Sequence, residues 1–186
     1  MEKNADILWL LPVIDQYPLS EIIIHPRTGL QRYEGPVDLD AFEDCLAAIR
    51  HPVVYNGDIR TVGDFRRLSR RFNRVHAWMI GRWCLADPFL PDRITTGADD
   101  IPDKIYRMQR FHEALFETYN SVIDSPSHVL NKMKGLWHYF SLSFEDSRKS
   151  IKKITKTRRP DQYLERVNLF FGTEAQLRQP KNELSA

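Results

Sequence analysis

Three short polar segments in the first half of this sequence follow apolar runs, and each carries residue types suited to holding an anion or a cofactor. The first is His25-Pro-Arg-Thr28, with Gln31 and Tyr33 close behind. So polar a turn after an apolar stretch is what a catalytic or cofactor loop needs. The second is Asn56-Gly57-Asp58, followed by Thr61. Glycine there lets the backbone approach a ligand closely, and a helix starting just beyond offers N–H groups to an anion. The third, Gly81-Arg82, combines a backbone amide with a guanidinium, a pair able to grip a phosphate. Each segment also has a plainer reading. His25 can be a satisfied buried histidine and Arg27 a surface ion pair. Asn-Gly and Asp-Gly are favoured turn pairs, so Asn56-Gly57-Asp58 can be an ordinary tight turn, and Gly81 can be a helix-start glycine beside a surface arginine. The occurrence of two such junctions in consecutive strand-to-helix units favours a phosphate site, since the last two such loops of a barrel commonly form one.

A fourth feature is cationic. Arg148, Lys149, Lys152, Lys153, Lys156, Arg158 and Arg159 fall within twelve residues with no acid among them. A solvated helix face is one reading, and attraction to a phosphate backbone is the other. Lys132, Lys134 and His138 extend the patch if the preceding helix lies alongside, whereas Tyr139 and Phe140 read as core. No nucleophile-base-acid set, motif-placed carboxylate pair or metal-spaced histidine cluster is recognisable, so no catalytic residue and no metal ligand is assigned. Cys45 and Cys84 read as small buried hydrophobes, not reactive thiols.

The elements that must position these groups alternate. Residues 6–17 have a helical apolar stripe ending before Pro18. Glu21–His25, His51–Tyr55 and His76–Ile80 are short apolar runs without polar alternation, as buried parallel strands are. Between them, residues 39–50 and a segment capped by Thr61 and Asp64 read as helices, and another helix follows Gly81. The order α-β-α-β-α-β-α has crossovers of the length that sets parallel strands side by side. Ligands in such folds sit at the carboxyl ends of the strands, where the three polar segments stand. Pro88, Pro91, Gly97 and Pro102 punctuate an expected linker. Beyond it only helices are expected, over about 103–122, 127–140, 144–155 and from Pro160 onward, with the last dozen residues frayed. The fold class is α/β plus all-α, with residues 1–95 and 96–186 as the two regions.

Composition agrees. Hydrophobic residues at 42% and charged residues at 28% fit a globular chain and exclude a disordered one. The 186 residues are too few for a complete eight-stranded α/β barrel of about 250. Residues 1–103 carry 12 Lys/Arg against 16 Asp/Glu, and residues 104–186 carry 15 against 9. The second region is thus the one suited to a polyanion. No apolar run approaches the ~20 residues of a membrane span, and no signal-like start is present, so no membrane partner and a reducing, cytoplasmic setting are expected.

The junctions resemble the tRNA-dihydrouridine synthase family in order and spacing. The matching stretches are Ile24-His-Pro-Arg-Thr28 with Gln31, Tyr33 and Gly35; Pro52-Val-Val-Tyr-Asn-Gly-Asp-Ile59; and Met79-Ile-Gly-Arg82 with Asp87-Pro88. They cover about residues 5–95, and the helical remainder is similar in character and position to that family's tRNA-binding domain. The resemblance implies the C-terminal part of a flavin-binding TIM (β/α)8 barrel, about three parallel strands with helices, followed by a small helical domain. It implies reduction of the C5–C6 double bond of uridine in tRNA by FMN, itself reduced by NADPH. It implies that His25 contacts the flavin ring and that Asn56, Gly57, Asp58, Gly81 and Arg82 hold its phosphate. The basic run would meet tRNA. The family's Asn-x-Gly-Cys-Pro motif is absent, and neither Cys45 nor Cys84 matches its catalytic cysteine. The family's Lys-x-Arg-x-Gly lysine would precede Met1, and Lys3 is not that residue. The resemblance is therefore to the back half of the enzyme, expected to be inactive without the N-terminal half. A non-catalytic tRNA-binding module derived from the family is the alternative. Three parallel strands would leave two open edges, through which an isolated chain is expected to self-associate or to meet the N-terminal half.

Overall fold

The computed structural model describes residues 7–31, 34–98 and 100–178; Lys3 and Tyr33 lie outside them. The chain divides into two compact units, Met1–Gly81 and Arg82–Ala186.

The first unit runs α1 (Leu11–Ile14), β1 (Ile22–Ile24), α2 (Leu39–Ala48), β2 (Val53–Asn56), α3 (Val62–Arg71) and β3 (Ala77–Met79). The strands pair in parallel in the order β1-β2-β3, as the helix-length crossovers require. The expected first helix is shorter than its apolar stripe: among its described residues only Leu11–Ile14 is α-helical, with Pro12 in its first turn. Helix α2 starts where the Asp38 carboxylate accepts from Ala41 N at 2.9 Å. Helix α3 starts at a reciprocal box in which Thr61 Oγ1 accepts from Asp64 N at 3.0 Å and Asp64 Oδ2 accepts from Thr61 N at 3.1 Å. Such caps contribute about 1 kcal/mol each.

Register explains the core of this unit. Ile24, Tyr55 and Trp78 form one cross-strand row. Tyr55 meets Phe42 of α2 and Phe72 just beyond α3, and Trp78 meets Phe65 of α3. The neighbouring row is Ile23, Val54 and Ala77, which alternation turns to the opposite face. Ile23 on β1 and Met79 on β3 are 49% and 38% exposed, so that face is only partly covered.

The second unit holds α4 (Arg82–Ala86), α5 (Leu90–Thr96), α6 (Lys104–Val122), α7 (Pro126–Phe140), α8 (Arg148–Lys156) and α9 (Pro160–Leu169). Its core gathers Met108, Met133, Trp137, Phe140, Phe144, Ile154, Tyr163 and Phe170. Tyr163 Oη accepts from Trp137 Nε1 at 2.8 Å and lies 2.6 Å from His112 Nε2.

The segment expected as a linker is a structured corner. Asp87 Oδ2 accepts from Lys104 Nζ at 2.6 Å and from Arg93 Nη1 at 3.1 Å, which ties α5 and α6 to the end of α4. Gly97 closes α5 in the left-handed region at φ 74°, a conformation glycine adopts without strain. Packing therefore divides the chain after Gly81, ahead of the composition break. The helix expected from residue 144 begins instead at Arg148. Phe144 is extended and bridges Leu177, and Glu145 N donates to Gln176 O at 2.9 Å. Those pairings tie down residues 175–178, the described part of the tail expected to fray. No helix among the described residues is long and apolar enough to cross a membrane.

Candidate functional site

The site of the first unit stands at the carboxyl ends of β1 and β2. Ile24 pairs with Tyr55, so the residues that follow them, His25 and Asn56, leave the sheet side by side. His25 Nδ1 is hydrogen-bonded to the Asn56 carbonyl oxygen. A carbonyl only accepts, so Nδ1 carries the proton and donates, and a neutral imidazole then keeps Nε2 as an acceptor. The histidine is exposed, so the buried-histidine alternative does not hold.

Arg27 is not a surface residue either. Its side chain is 1% exposed. Nη1 donates to the carbonyls of Glu34 and Gly35 at 2.8 and 2.7 Å, and Nη2 donates to Asp58 Oδ2 at 2.5 Å. Asp58 Oδ2 also accepts from Arg60 at 3.2 Å. Within the first turn, Gln31 Oε1 accepts from Thr28 N at 3.0 Å. The family resemblance puts Asp58 among the phosphate holders; its carboxylate is engaged by buried Arg27 and by Arg60. Arg27 and Asp58 each stand two residues beyond His25 and Asn56. That equal offset from paired strand ends is the sequence signal that could have linked them.

Gly57 has a packing reason to be glycine. A β-carbon there would overlap the end of the Tyr55 side chain, which is fully buried. The Tyr55 hydroxyl has no hydrogen-bond partner among the described residues, and burial, then the nearby Asp58 carboxylate, push its pKa up to about 12. Gly81 has open space where a β-carbon would stand and ends the first unit; Arg82 is the first residue of α4 in the second.

In the second unit the expected basic face exists. Arg148, Lys149, Lys152, Lys153 and Lys156 are all exposed on α8, while Ile154 turns into the core. Arg158 and Arg159 are exposed beyond its end. Arg159 pairs with Asp161 at 2.6 Å, which reduces its availability to an anion. Lys134 is engaged too, donating to the Thr157 carbonyl. Exposed Lys132 lines an open groove on α7 with His128, Asn131 and Gly135. Cys45 is buried in α2 and Cys84 half-buried in α4. Burial pushes both thiols up, with Asp44 and Asp87 adding to it, which keeps them protonated and unreactive as nucleophiles.

Comparison with known proteins gives these loops a context. The family model described as dihydrouridine synthase (Dus) matches residues 3–172. A probable tRNA-dihydrouridine synthase of Rhizobium leguminosarum bv. phaseoli is 35% identical over 94 residues, 47% of this chain and 29% of that protein. The tRNA-dihydrouridine(16) synthase of Cupriavidus necator is 36% identical over 83 residues, 45% of this chain and 26% of that protein. That of Pseudomonas putida is 24% identical over 163 residues, 85% of this chain and 48% of that protein. The chain spans half or less of the length of these relatives. With a family model covering nearly all of its residues, the chain belongs to the dihydrouridine synthase family.

Proposed function

We propose that this chain is the C-terminal portion of a tRNA-dihydrouridine synthase. In this reading the three parallel strands are part of an FMN-binding (β/α)8 barrel, and the helical unit binds tRNA. The observation that carries it is the pairing of the His25 and Asn56 turns at the carboxyl ends of adjacent parallel strands, where ligands of α/β folds bind. The residues fit a phosphate-bearing flavin. No side chain fills the space at Gly81, and Asp58 is neutralised by Arg27 and Arg60. His25 would meet the ring. The backbone of Asn56, Gly57, Asp58 and Gly81, with Arg82, would hold the phosphate. When bound, FMN, reduced by NADPH, supplies the hydride that reduces the uridine C5–C6 double bond. The proton donor of the family stands in a motif outside these residues, so turnover also needs the part of the barrel that carries it.

FMN fluorescence titrated with this chain and a separately expressed N-terminal half tests the reading. Quenching that His25→Ala weakens, together with dihydrouridine formed in tRNA, is the expected result. A well-folded mixture that leaves FMN unbound overturns it.

A non-catalytic tRNA-binding role is favoured by the exposed cations of α8 alone. It requires tRNA binding by this chain without flavin, weakening steeply with salt. Lys152→Ala, Lys153→Ala and Lys156→Ala together should weaken binding to all tRNAs alike. They should also lower the salt slope by about 2–3, near one unit for each phosphate no longer neutralised. An unchanged slope removes α8 from the interface.

A further inference from the structure

A buried arginine joins the two turns that the flavin reading uses separately. Arg27 reaches three acceptors on two loops: the Glu34 and Gly35 carbonyls of its own turn and the Asp58 carboxylate of the next. Its side chain is 1% exposed and that of Asp58 is 12% exposed. A guanidinium presents its donors in a rigid fork, so making these bonds together fixes where one turn sits against the other. The same two turns carry the His25–Asn56 hydrogen bond, which involves a main-chain carbonyl and therefore depends on where the second backbone runs.

We propose that Arg27 and Asp58 are positioning residues whose buried ion pair locks the turn after β1 to the turn after β2. It thereby holds His25 in the form protonated at Nδ1, with Nε2 as the acceptor. The lock follows from the chain's own geometry; only its consequence for a cofactor rests on the flavin reading. Asp58 then belongs to the site through what it orders. With Arg27 and Arg60 both on its carboxylate, the charge of Asp58 is met within the protein. Removing one partner of a buried pair leaves an uncompensated charge, whereas removing both with apolar replacements is far better tolerated.

The test is long-range proton–nitrogen NMR of the histidine rings, with the His25 signals assigned by their loss in His25→Gln. The unaltered chain should show a single His25 form, protonated at Nδ1. Asp58→Asn and the double variant Arg27→Met/Asp58→Leu should lose that form and average between tautomers. Arg71→Gln breaks the ion pairs of Arg71 with Asp40 and Glu43 between α2 and α3 and should leave His25 unchanged. That control separates positioning from a general loss of stability. The double variant carries no unpaired buried charge, so it reports even if Asp58→Asn fails to fold. His25 held in the Nδ1 form in a folded variant lacking the pair overturns the proposal, as does averaging in Arg71→Gln to the same extent. FMN titration of the same samples separates the two readings. Lack of flavin binding by the unaltered chain counts against the cofactor assignment, while the tautomer result still decides the lock.

Discussion

Gly57 has no room for a side chain, because the end of the Tyr55 ring lies where a β-carbon would stand. Tyr55 cannot give way: Phe42, Phe72 and Trp78 hold it on three sides. Gly57→Ala is therefore an overpacking change, expected to cost about 1–3 kcal/mol in urea unfolding with the m-value unchanged. Tyr55→Phe removes the nearest atom and also a buried hydroxyl without a partner. Its cost should fall below the ~1 kcal/mol of an ordinary hydrogen bond. Placed in the Gly57→Ala background, it should recover part of the loss. Additive costs would show that the overlap is not what excludes alanine. The sequence could suggest that this glycine matters but not why, since a ligand and a tyrosine both exclude a β-carbon. Asp58 illustrates the same limit. That its carboxylate pairs with a buried arginine across the turn could not be read from local spacing, because that arginine lies 31 positions earlier in the sequence.

Elements with an amphipathic stripe and a cap were legible. The Thr61–Asp64 box and the start of α9 at Pro160 fall where the pattern put them. Helix α5 was not legible, because Pro91 and Gly97 read as linker punctuation. Here Pro91 stands in the first turn and Gly97 follows the last, where each favours a helix end. The unit boundary was displaced for the same reason. Helices α4 and α5 pack with the helical unit, and Ser143 Oγ donates to the Ala86 carbonyl at 2.7 Å. The buried histidine of α6 gives this unit a pH dependence. His112 is fully buried, and burial lowers its pKa from 6.5 to about 4. Trp137 already donates to the Tyr163 hydroxyl. That hydroxyl's own proton is then free for His112 Nε2, leaving Nδ1–H unpartnered. Because the folded pKa is depressed, the unfolded chain binds the proton first as pH falls. Stability from this group is complete above about pH 6.5 and is lost between there and about pH 4, by about 3 kcal/mol. Urea unfolding across that range, compared with His112→Gln, should show the loss only in the unaltered chain. Equal slopes in both would show that His112 is not the source.

At the scale of the whole molecule, the parallel order of the sheet was legible from crossover length, and so were its two open edges, whereas the exposure of one face was not. Among the described residues β1 and β3 each pair only with β2. Parallel sheets elsewhere bury both faces, yet here α2 and α3 cover one, while Ile23 and Met79 stand exposed on the outer strands. A partly covered apolar face bounded by strand edges unpaired among the described residues is a site for pairing with another chain. The isolated chain should therefore self-associate with rising concentration in sedimentation velocity. Ile23→Lys and Met79→Lys place a charge on that face without touching the helix-facing row. Each should shift the chain toward monomer with its circular dichroism unchanged. If the family's N-terminal half supplies the neighbouring strands, adding it should compete with self-association and protect the amides of β1 and β3 from exchange, leaving those of β2 as they were. A concentration-independent monomer with rapidly exchanging edge amides would mean that neither a second copy nor the N-terminal half is needed to stabilise the sheet. The partnership proposed for turnover would then have to rest on the absent cysteine motif alone.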